Sequence, residues 1–316
     1  MAKTDGSPRN DAHESRQEEL FPDNSIPAAH PAPEFAGATK TRKLQLSNGY
    51  TLDSDQLSRI ISTLWNHRDE KRITRAVIMD ETGLPNRAIE AYVSMGVAMG
   101  IVKRGAQTLT TFGRLVAQHD LFLERTGTLE WCHYCGAGSV GNLVWYDVFN
   151  RLLVEEEPMT HPEWNAWFRR ELVGQYSDRT IRKVVQEEVN FVIDAYTEKK
   201  LATLGVLQES PTGHYSPARR RDVELALFCG MIYRYMQEHD STVFEVHEFV
   251  QSPGNPAALF ALHADALREI IETLHRRGWL RYETTHSLDQ IRLIPDFSYE
   301  EFLTAYFEGR APCVSR

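Results

Sequence analysis

A helix, a turn, a second helix and a short β-hairpin recur three times along this chain, and that order constrains the fold more than any composition figure. The clearest copy runs from Ile73 to Gly113. Thr82-Gly83-Leu84-Pro85 separates two helical stretches there. Gly83 suits the left-handed residue that ends a helix, and Pro85 suits the first turn of the next, where a missing N–H costs nothing. In that second helix Ile89, Val93 and Val97 fall on one side, and Asn86, Arg87, Glu90 and Ser94 on another. Helical periodicity makes the first set a core stripe and the second a polar face. Ile101–Lys103 and Gln107–Thr110 then pair as a hairpin around Gly105, with Lys103 and Arg104 near its tip, and Leu109-Thr110-Thr111-Phe112-Gly113 closes the unit.

The other copies are read in the same way. Ser177 to Tyr196 is a helix whose first turn carries Arg179, Arg182 and Lys183, backed by Val184, Val185, Phe191 and Val192. Leu204–Gln208 and His214–Ser216 form a second hairpin, with Arg219-Arg220-Arg221 directly after it. In the third copy Val223–Tyr235 is a buried helix, Ser252-Pro253-Gly254-Asn255-Pro256 breaks the chain, and Ala264–Arg276 is amphipathic through Leu267, Ile270, Ile271 and Leu274. Trp279–Glu283 and Gln290–Leu293 supply its hairpin. The expected fold is mainly α: tandem winged-helix-like modules with small β-hairpin wings. The expected boundaries are a disordered segment over 1–45, modules over 46–126, 127–221 and 222–296, and a tail over 297–316. A further helix over 53–66, capped by Asp53 or Ser54, carries Leu57, Ile60, Ile61, Leu64 and Trp65.

Residues 1–45 are rich in Pro, Ala, Ser, Asp and Glu and poor in aliphatics, so burial cannot offset their ordering entropy. The cluster Lys40-Thr41-Arg42-Lys43 at their end is read as flexible and solvated. The whole chain of 316 residues is 42% hydrophobic and 10% aromatic, ample for a core. Trp145, Trp164, Trp167 and Phe168 are read as core aromatics. No apolar run approaches the roughly 18 residues that span a bilayer and the N-terminus lacks an apolar signal core, so a cytoplasmic location is expected. The net charge of −9 is uneven. Residues 67–120 and 178–221 each hold eight Lys/Arg against six Asp/Glu, whereas 222–316 hold eight against fifteen. Local basic faces therefore permit nucleic-acid contact despite the overall acidity.

The sequence contains no catalytic constellation. Gly136-Ala137-Gly138-Ser139-Val140-Gly141 lacks both a preceding strand and a following Lys, so it reads as a tight connection between helices, not a phosphate loop. There is no GxSxG elbow. Glu155-Glu156-Glu157 is a run of like charges suited to solvent, and His133, His161 and His214 are scattered. Cys132 and Cys135 form a CxxC, but no second pair completes a zinc set, and they sit in an apolar helix where cysteine packs as a small hydrophobe. No metal and no cofactor is expected. The candidate DNA contacts are Asn86 and Arg87 on the polar face, Lys103 and Arg104 on the first hairpin, Arg179, Arg182 and Lys183 at a helix N-terminus, and Arg219 and Arg220 beyond the second hairpin.

Several stretches, in order, resemble one family. These are Leu109–Val116 (LTTFGRLV), Leu121–Tyr134 (LFLERTGTLEWCHY), Trp145–Asn150 (WYDVFN), Ser177–Tyr196 (SDRTIRKVVQEEVNFVIDAY), Leu201–Leu207 (LATLGVL) and Leu259–Leu267 (LFALHADAL). The chain is similar over residues 70–293 to the domain of unknown function 4007 family. Members of that family usually open with a His-Glu-Thr-Phe-like element; here Leu44–Leu57 (LQLSNGYTLDSDQL) stands in its place. The resemblance implies a bacterial or archaeal protein encoded beside genes for DNA sulfur modification and phage defence, among them sulfurtransferases of the phosphoadenosine-phosphosulfate-reductase type. It carries no catalytic residues. The expected function is a non-catalytic, DNA-binding accessory subunit of a phosphorothioation-type modification and defence system, with double-stranded DNA and a sulfurtransferase or other defence protein as partners. The alternative is an adaptor that docks such enzymes without touching DNA.

Overall fold

Side-chain caps and left-handed stops set the helix boundaries of the first unit. The structure, a computed structural model, describes residues 42–105, 107–155, 157–218, 222–285 and 288–313. Asp53 accepts from the backbone N–H groups of Asp55 and Gln56 and starts α1 (Ser54–Asn66). Thr74 caps α2 (Arg75–Thr82), and Gly83 ends it at φ +69°. α3 (Asn86–Ala98) follows Pro85 at once. The hairpin after α3 is short: Val102 bridges Leu109, and Lys103 N–H donates to the Thr108 carbonyl at 2.7 Å. α4 (Thr111–His119) is capped by Thr110.

The middle of the chain is built around α5 (Thr126–Gly138), whose residues Gly127 to Ala137 are all buried. α6 (Leu143–Asp147) runs through a π-helical turn (Val148–Leu152) into α7 (Leu153–Glu155). β1 (Met159–Thr160) leads into α8 (His161–Glu171), which opens on a Thr160–Glu163 capping box. α9 (Asp178–Thr180), a π turn (Ile181–Val185) and α10 (Gln186–Thr197) follow one another without a break. After a 3₁₀ turn (Lys200–Leu204), β2 (Leu207–Glu209) and β3 (His214–Pro217) join β1 in an antiparallel sheet of order β1-β3-β2.

The last third repeats this order. α11 (Leu225–Glu238) is followed by β4 (Val243–Glu245), α12 (Val246–Gln251), α13 (Pro256–Leu259) and α14 (Ala264–Arg276). β5 (Arg281–Thr285) and β6 (Leu288–Arg292) then complete an antiparallel sheet of order β4-β6-β5. The expected second and third hairpins are thus present, each with an added strand that the sequence reading did not include. A two- or three-residue strand is too short to show a period. α15 (Tyr299–Glu308) lies along α11, with Phe302 against Tyr233 at 5.2 Å between ring centroids. The protein is mainly helical with small antiparallel sheets. One hydrophobic cluster runs from Leu44 to Phe307. Trp145, Trp164, Trp167 and Phe168 all lie in it, as their size predicts. So do Cys132 and Cys135, whose thiols burial pushes up in pKa.

The end of α1 is tied to α2 by a surface histidine. His67 Nε2 meets Glu81 at 2.5 Å and Nδ1 meets Glu70 at 2.7 Å. The hydrogen bond to Glu81, then that to Glu70, raises the His67 pKa, and His67 in turn lowers that of Glu81. Stability from the histidine is full below its unfolded pKa of about 6.5 and is lost as pH rises through the higher folded value; stability from Glu81 is lost in acid. The melting-temperature deficit of His67→Ala is therefore expected to be largest near about pH 5.5 and to shrink by about pH 8.5. A deficit that grows with pH over this range would contradict the pairing.

Candidate nucleic-acid interface

The polar face of α3 is not bare. An arm, residues 42–49, which ends in a turn at Asn48-Gly49, lies against it and ties it to the middle of the molecule. The arm holds because Leu44 and Leu46 point into the core, 6% and 5% exposed, at the two-residue period of an extended chain. Its backbone pairs with the turn before α6: Lys43 N–H donates to the Gly141 carbonyl at 2.8 Å, and Leu143 N–H to the Lys43 carbonyl at 3.2 Å. Arg42 Nη2 reaches Asp147 at 2.6 Å, and that carboxylate is almost fully buried. Burial raises the Asp147 pKa while Arg42 opposes the rise. Further on, Ser47 donates through its N–H at 2.8 Å and its hydroxyl at 2.9 Å to Glu188, a buried acid on α10 whose pKa burial also raises.

These contacts correct the expectation that Arg42 and Lys43 form a flexible, solvated cluster. Arg42 is the counter-ion of a buried aspartate, and Lys43 Nζ donates to Ser94 Oγ on α3 at 2.8 Å. Lys40 and Thr41 lie outside the described residues. Composition pointed to solvent because the basic run adjoins a polar segment. The signal for docking lies elsewhere in the sequence, in a lone Asp in Trp145–Asn150 and a Glu on the apolar side of α10, each of which needs a partner once buried.

Each candidate contact residue can now be placed. Asn86 and Arg87 stand exposed in the first turn of α3. Asn86 Oδ1 accepts from Arg75 Nη1 at 3.2 Å, and the same nitrogen pairs with Glu90 at 2.8 Å. Arg87 Nη2 donates to the Asn48 carbonyl at 3.4 Å. Lys103 and Arg104 are exposed in the hairpin turn, and Arg104 Nη2 lies 3.8 Å from where a Cβ on Gly141 would be. Arg179, Arg182 and Lys183 are exposed on α9 and the π turn, behind the Ser177 cap. Arg182 Nε donates to the Asp178 carbonyl at 3.3 Å. Arg219 and Arg220 lie outside the described residues.

The arm adjoins two members of this set, Arg87 and Arg104. Asn48, which receives Arg87, is flanked by Ser47 on Glu188 and by Gly49, whose missing Cβ would stand 3.6 Å from the Glu187 carboxyl carbon. Arg87 and the first turn of α10 therefore adjoin the same tripeptide. Arg104 is near enough to Lys43 to lower its pKa, after the larger effect of burial. Among the described residues, Arg87, Lys103, Arg104, Arg179, Arg182 and Lys183 make no ion pair, whereas Arg42, Arg75, Arg234, Arg268, Arg292 and Arg310 do.

Between the arm, α3 and the hairpin lies a cleft of about 490 Å³. Val93 forms its apolar side, over the fully buried Ile89, and Lys43, Gln45, Asn48, Arg75, Glu90 and Gln107 its polar sides. Among the described residues, no group of three or more His, Cys, Asp and Glu is placed to hold a metal ion, and no helix is long and apolar enough to cross a membrane.

The chain is mainly helical with small antiparallel sheets, and on its successive helix and hairpin ends stand cations that make no ion pair among the described residues. Its sequence matches the family described as "protein of unknown function (DUF4007)" over residues 95–307, and the chain belongs to that family. No curated protein matches it. Two solved structures share the fold. One, described as a magnesium ion-bound SspB crystal structure, aligns at a TM-score of 0.62 with 10% identity, covering 79% of this chain and 83% of that one. The other, described as an SspB crystal structure, aligns at 0.60 with the same identity and coverage.

Proposed function

We propose that this chain is a non-catalytic, DNA-binding accessory subunit of a bacterial DNA-modification and phage-defence system of the phosphorothioation type. The observation that carries the reading is the charge state of its candidate contacts. Six exposed cations at the ends of helices and a hairpin have no acidic partner among the described residues, so their charge is open to an anionic ligand. Phosphate is the ligand class such groups favour. The repeated order of helix, strand, helices and hairpin supports reading 127–221 and 222–296 as winged-helix-like modules, the helices and short hairpin of 46–126 support the same reading there, and 297–316 is a tail. Asn86 is engaged by Arg75 and Ser94 by Lys43, so Arg87, Lys103 and Arg104 are assigned to phosphates. Arg179, Arg182 and Lys183 join them at a helix start whose N–H groups also favour anions. The family membership and the SspB fold support the defence association. For the magnesium ion named with one SspB structure, the described residues offer no three-ligand set.

The test is binding of the full chain to duplex DNA across a salt series. A steep fall of affinity with salt is expected. Arg87→Ala and Arg182→Ala should each lower the slope by about one, uniformly across sequences. Absence of binding at low salt would favour the second reading, a docking adaptor for a sulfurtransferase or another defence protein. One observation favours that reading: in the acidic last third, Arg268, Arg292 and Arg310 are already paired with Asp289, Glu283 and Glu301, leaving a surplus of carboxylates that suits a basic partner.

A further inference from the structure

Three cations stand in a row along the polar face of α3, and one of them, Arg87, belongs to the contacts proposed above. Arg87, Glu90 and Ser94 follow one another at helical spacing on that face. Each meets a group from outside the helix: Arg87 the Asn48 carbonyl, Glu90 the Arg75 guanidinium, and Ser94 the Lys43 ammonium. At a rise of about 1.5 Å per residue, Arg87 and Ser94 lie about 10 Å apart along the axis. Arg87 therefore marks one end of the row and Lys43 the other, with Arg75 between them. The cleft opens along this row, since Asn48, Arg75, Glu90, Ser94 and Lys43 all line it.

The row is short of negative charge. Glu90 is the one carboxylate among the residues lining the cleft. Its pair with Arg75 is open to water, with side chains 45% and 42% exposed, and an ion pair so placed is worth little. Arg75 engages Glu90 and Asn86 through Nη1 alone, so its other nitrogens have no partner among the described residues. Lys43 Nζ meets a hydroxyl oxygen and no carboxylate, which leaves two of its three donors open. Burial lowers the Lys43 pKa more than Glu188 raises it, and Arg104 lowers it further. An anion beside the ammonium would offset that cost. A single free anion meets only one such cation. A nucleic-acid strand carries a charge about every 3.4 Å along its axis, so about 10 Å of it serves the whole row.

We propose that a DNA strand lays its sugar–phosphate backbone along this cleft, with Lys43 and Arg75 as phosphate contacts beside Arg87. This rests on the DNA-binding reading above and adds two contacts and a path to it. The arm does not shield α3 from the strand; it supplies one end of the cationic row. Ser94 holds Lys43 in place, and Glu90 limits affinity by competing for Arg75.

The test adds three variants of the full chain to the duplex salt series. Lys43→Ala should lower the slope by about one, and Lys43→Arg should keep it at the parent value. Glu90→Gln frees Arg75, so it should tighten binding and raise the slope by about one, a gain that misfolding cannot produce. A second measurement uses the unaltered chain. Acetylation of Lys43 by acetic anhydride, read by mass spectrometry, should slow several-fold when duplex DNA is bound. Lys200, in a separate cleft beside the start of α1, is the control and should not slow. Inorganic phosphate and polyglutamate, at equal charge, are the comparison arms. Protection by either that matches DNA would assign the cleft to a free anion or an acidic protein and overturn the proposal, as would equal protection of Lys200. A slope unchanged in Lys43→Ala and Glu90→Gln, while Arg87→Ala lowers it, also overturns the proposal but leaves the DNA-binding reading standing. Absence of any duplex binding removes both.

Discussion

Gly113→Ala should destabilise the protein by about 3 kcal/mol or more, because an added methyl has nowhere to go. A Cβ at Gly113 would lie 2.0 Å from the carbonyl oxygen of Ile101, a backbone atom that cannot swing aside. The carbonyl is itself fixed, accepting from Thr110 N–H at 2.9 Å, while the Thr110 hydroxyl bonds the Gly100 carbonyl at 2.6 Å and receives Gly113 N–H at 2.9 Å. The Leu109–Gly113 run is thus one device. Leu109 closes the hairpin, Thr110 turns the chain and caps α4, Phe112 enters the core at 3% exposure, and Gly113 lets α4 touch the strand. Urea denaturation checks the prediction. Arg114→Ala, one residue on and exposed, should stay within about 0.5 kcal/mol of the parent. Equal stability of the two variants would show that α4 does not pack on Ile101.

Tyr196→Phe should cost about 3 kcal/mol although it preserves the ring. The Tyr196 hydroxyl accepts from Trp145 Nε1 at 2.9 Å and meets His133 Nδ1 at 2.5 Å. His133 Nε2 lies 2.9 Å from the Leu259 carbonyl, which can only accept, so Nε2 carries a proton and donates there. The histidine is fully buried and ringed edge-on by Phe149, Tyr196 and Phe260. Removing the hydroxyl takes one hydrogen bond from each of two buried polar groups, Trp145 Nε1 and His133 Nδ1, at about 1–3 kcal/mol each. A loss below about 0.5 kcal/mol in chemical denaturation would mean that the network does not bind α5, α6 and α10 together. The scattered His133 of the sequence is therefore a structural residue within this network.

Much of the architecture was legible. Leu267, Ile270, Ile271 and Leu274 mark α14 within its observed ends, and Gly83 stands at the left-handed stop predicted for it. The strands β1 and β4 were not legible, because two or three residues carry no readable alternation. The candidate site was half legible. Its cations were visible as residue types at helix starts and a hairpin tip. The cleft was not, since Gln45, Asn48 and Gln107 are unremarkable polar residues until the chain places them face to face.

Periodicity and punctuation, which depend on neighbours a few residues apart, determined on their own that this chain forms short amphipathic helices interrupted by hairpins, with its acidity gathered in the last third. What covers the polar face of α3 was decided only by tertiary structure. Asp147 and Glu188 lie 105 and 141 residues beyond the arm residues they hold, and the burial that makes those carboxylates demand a partner exists only once α5, α6 and α10 have packed.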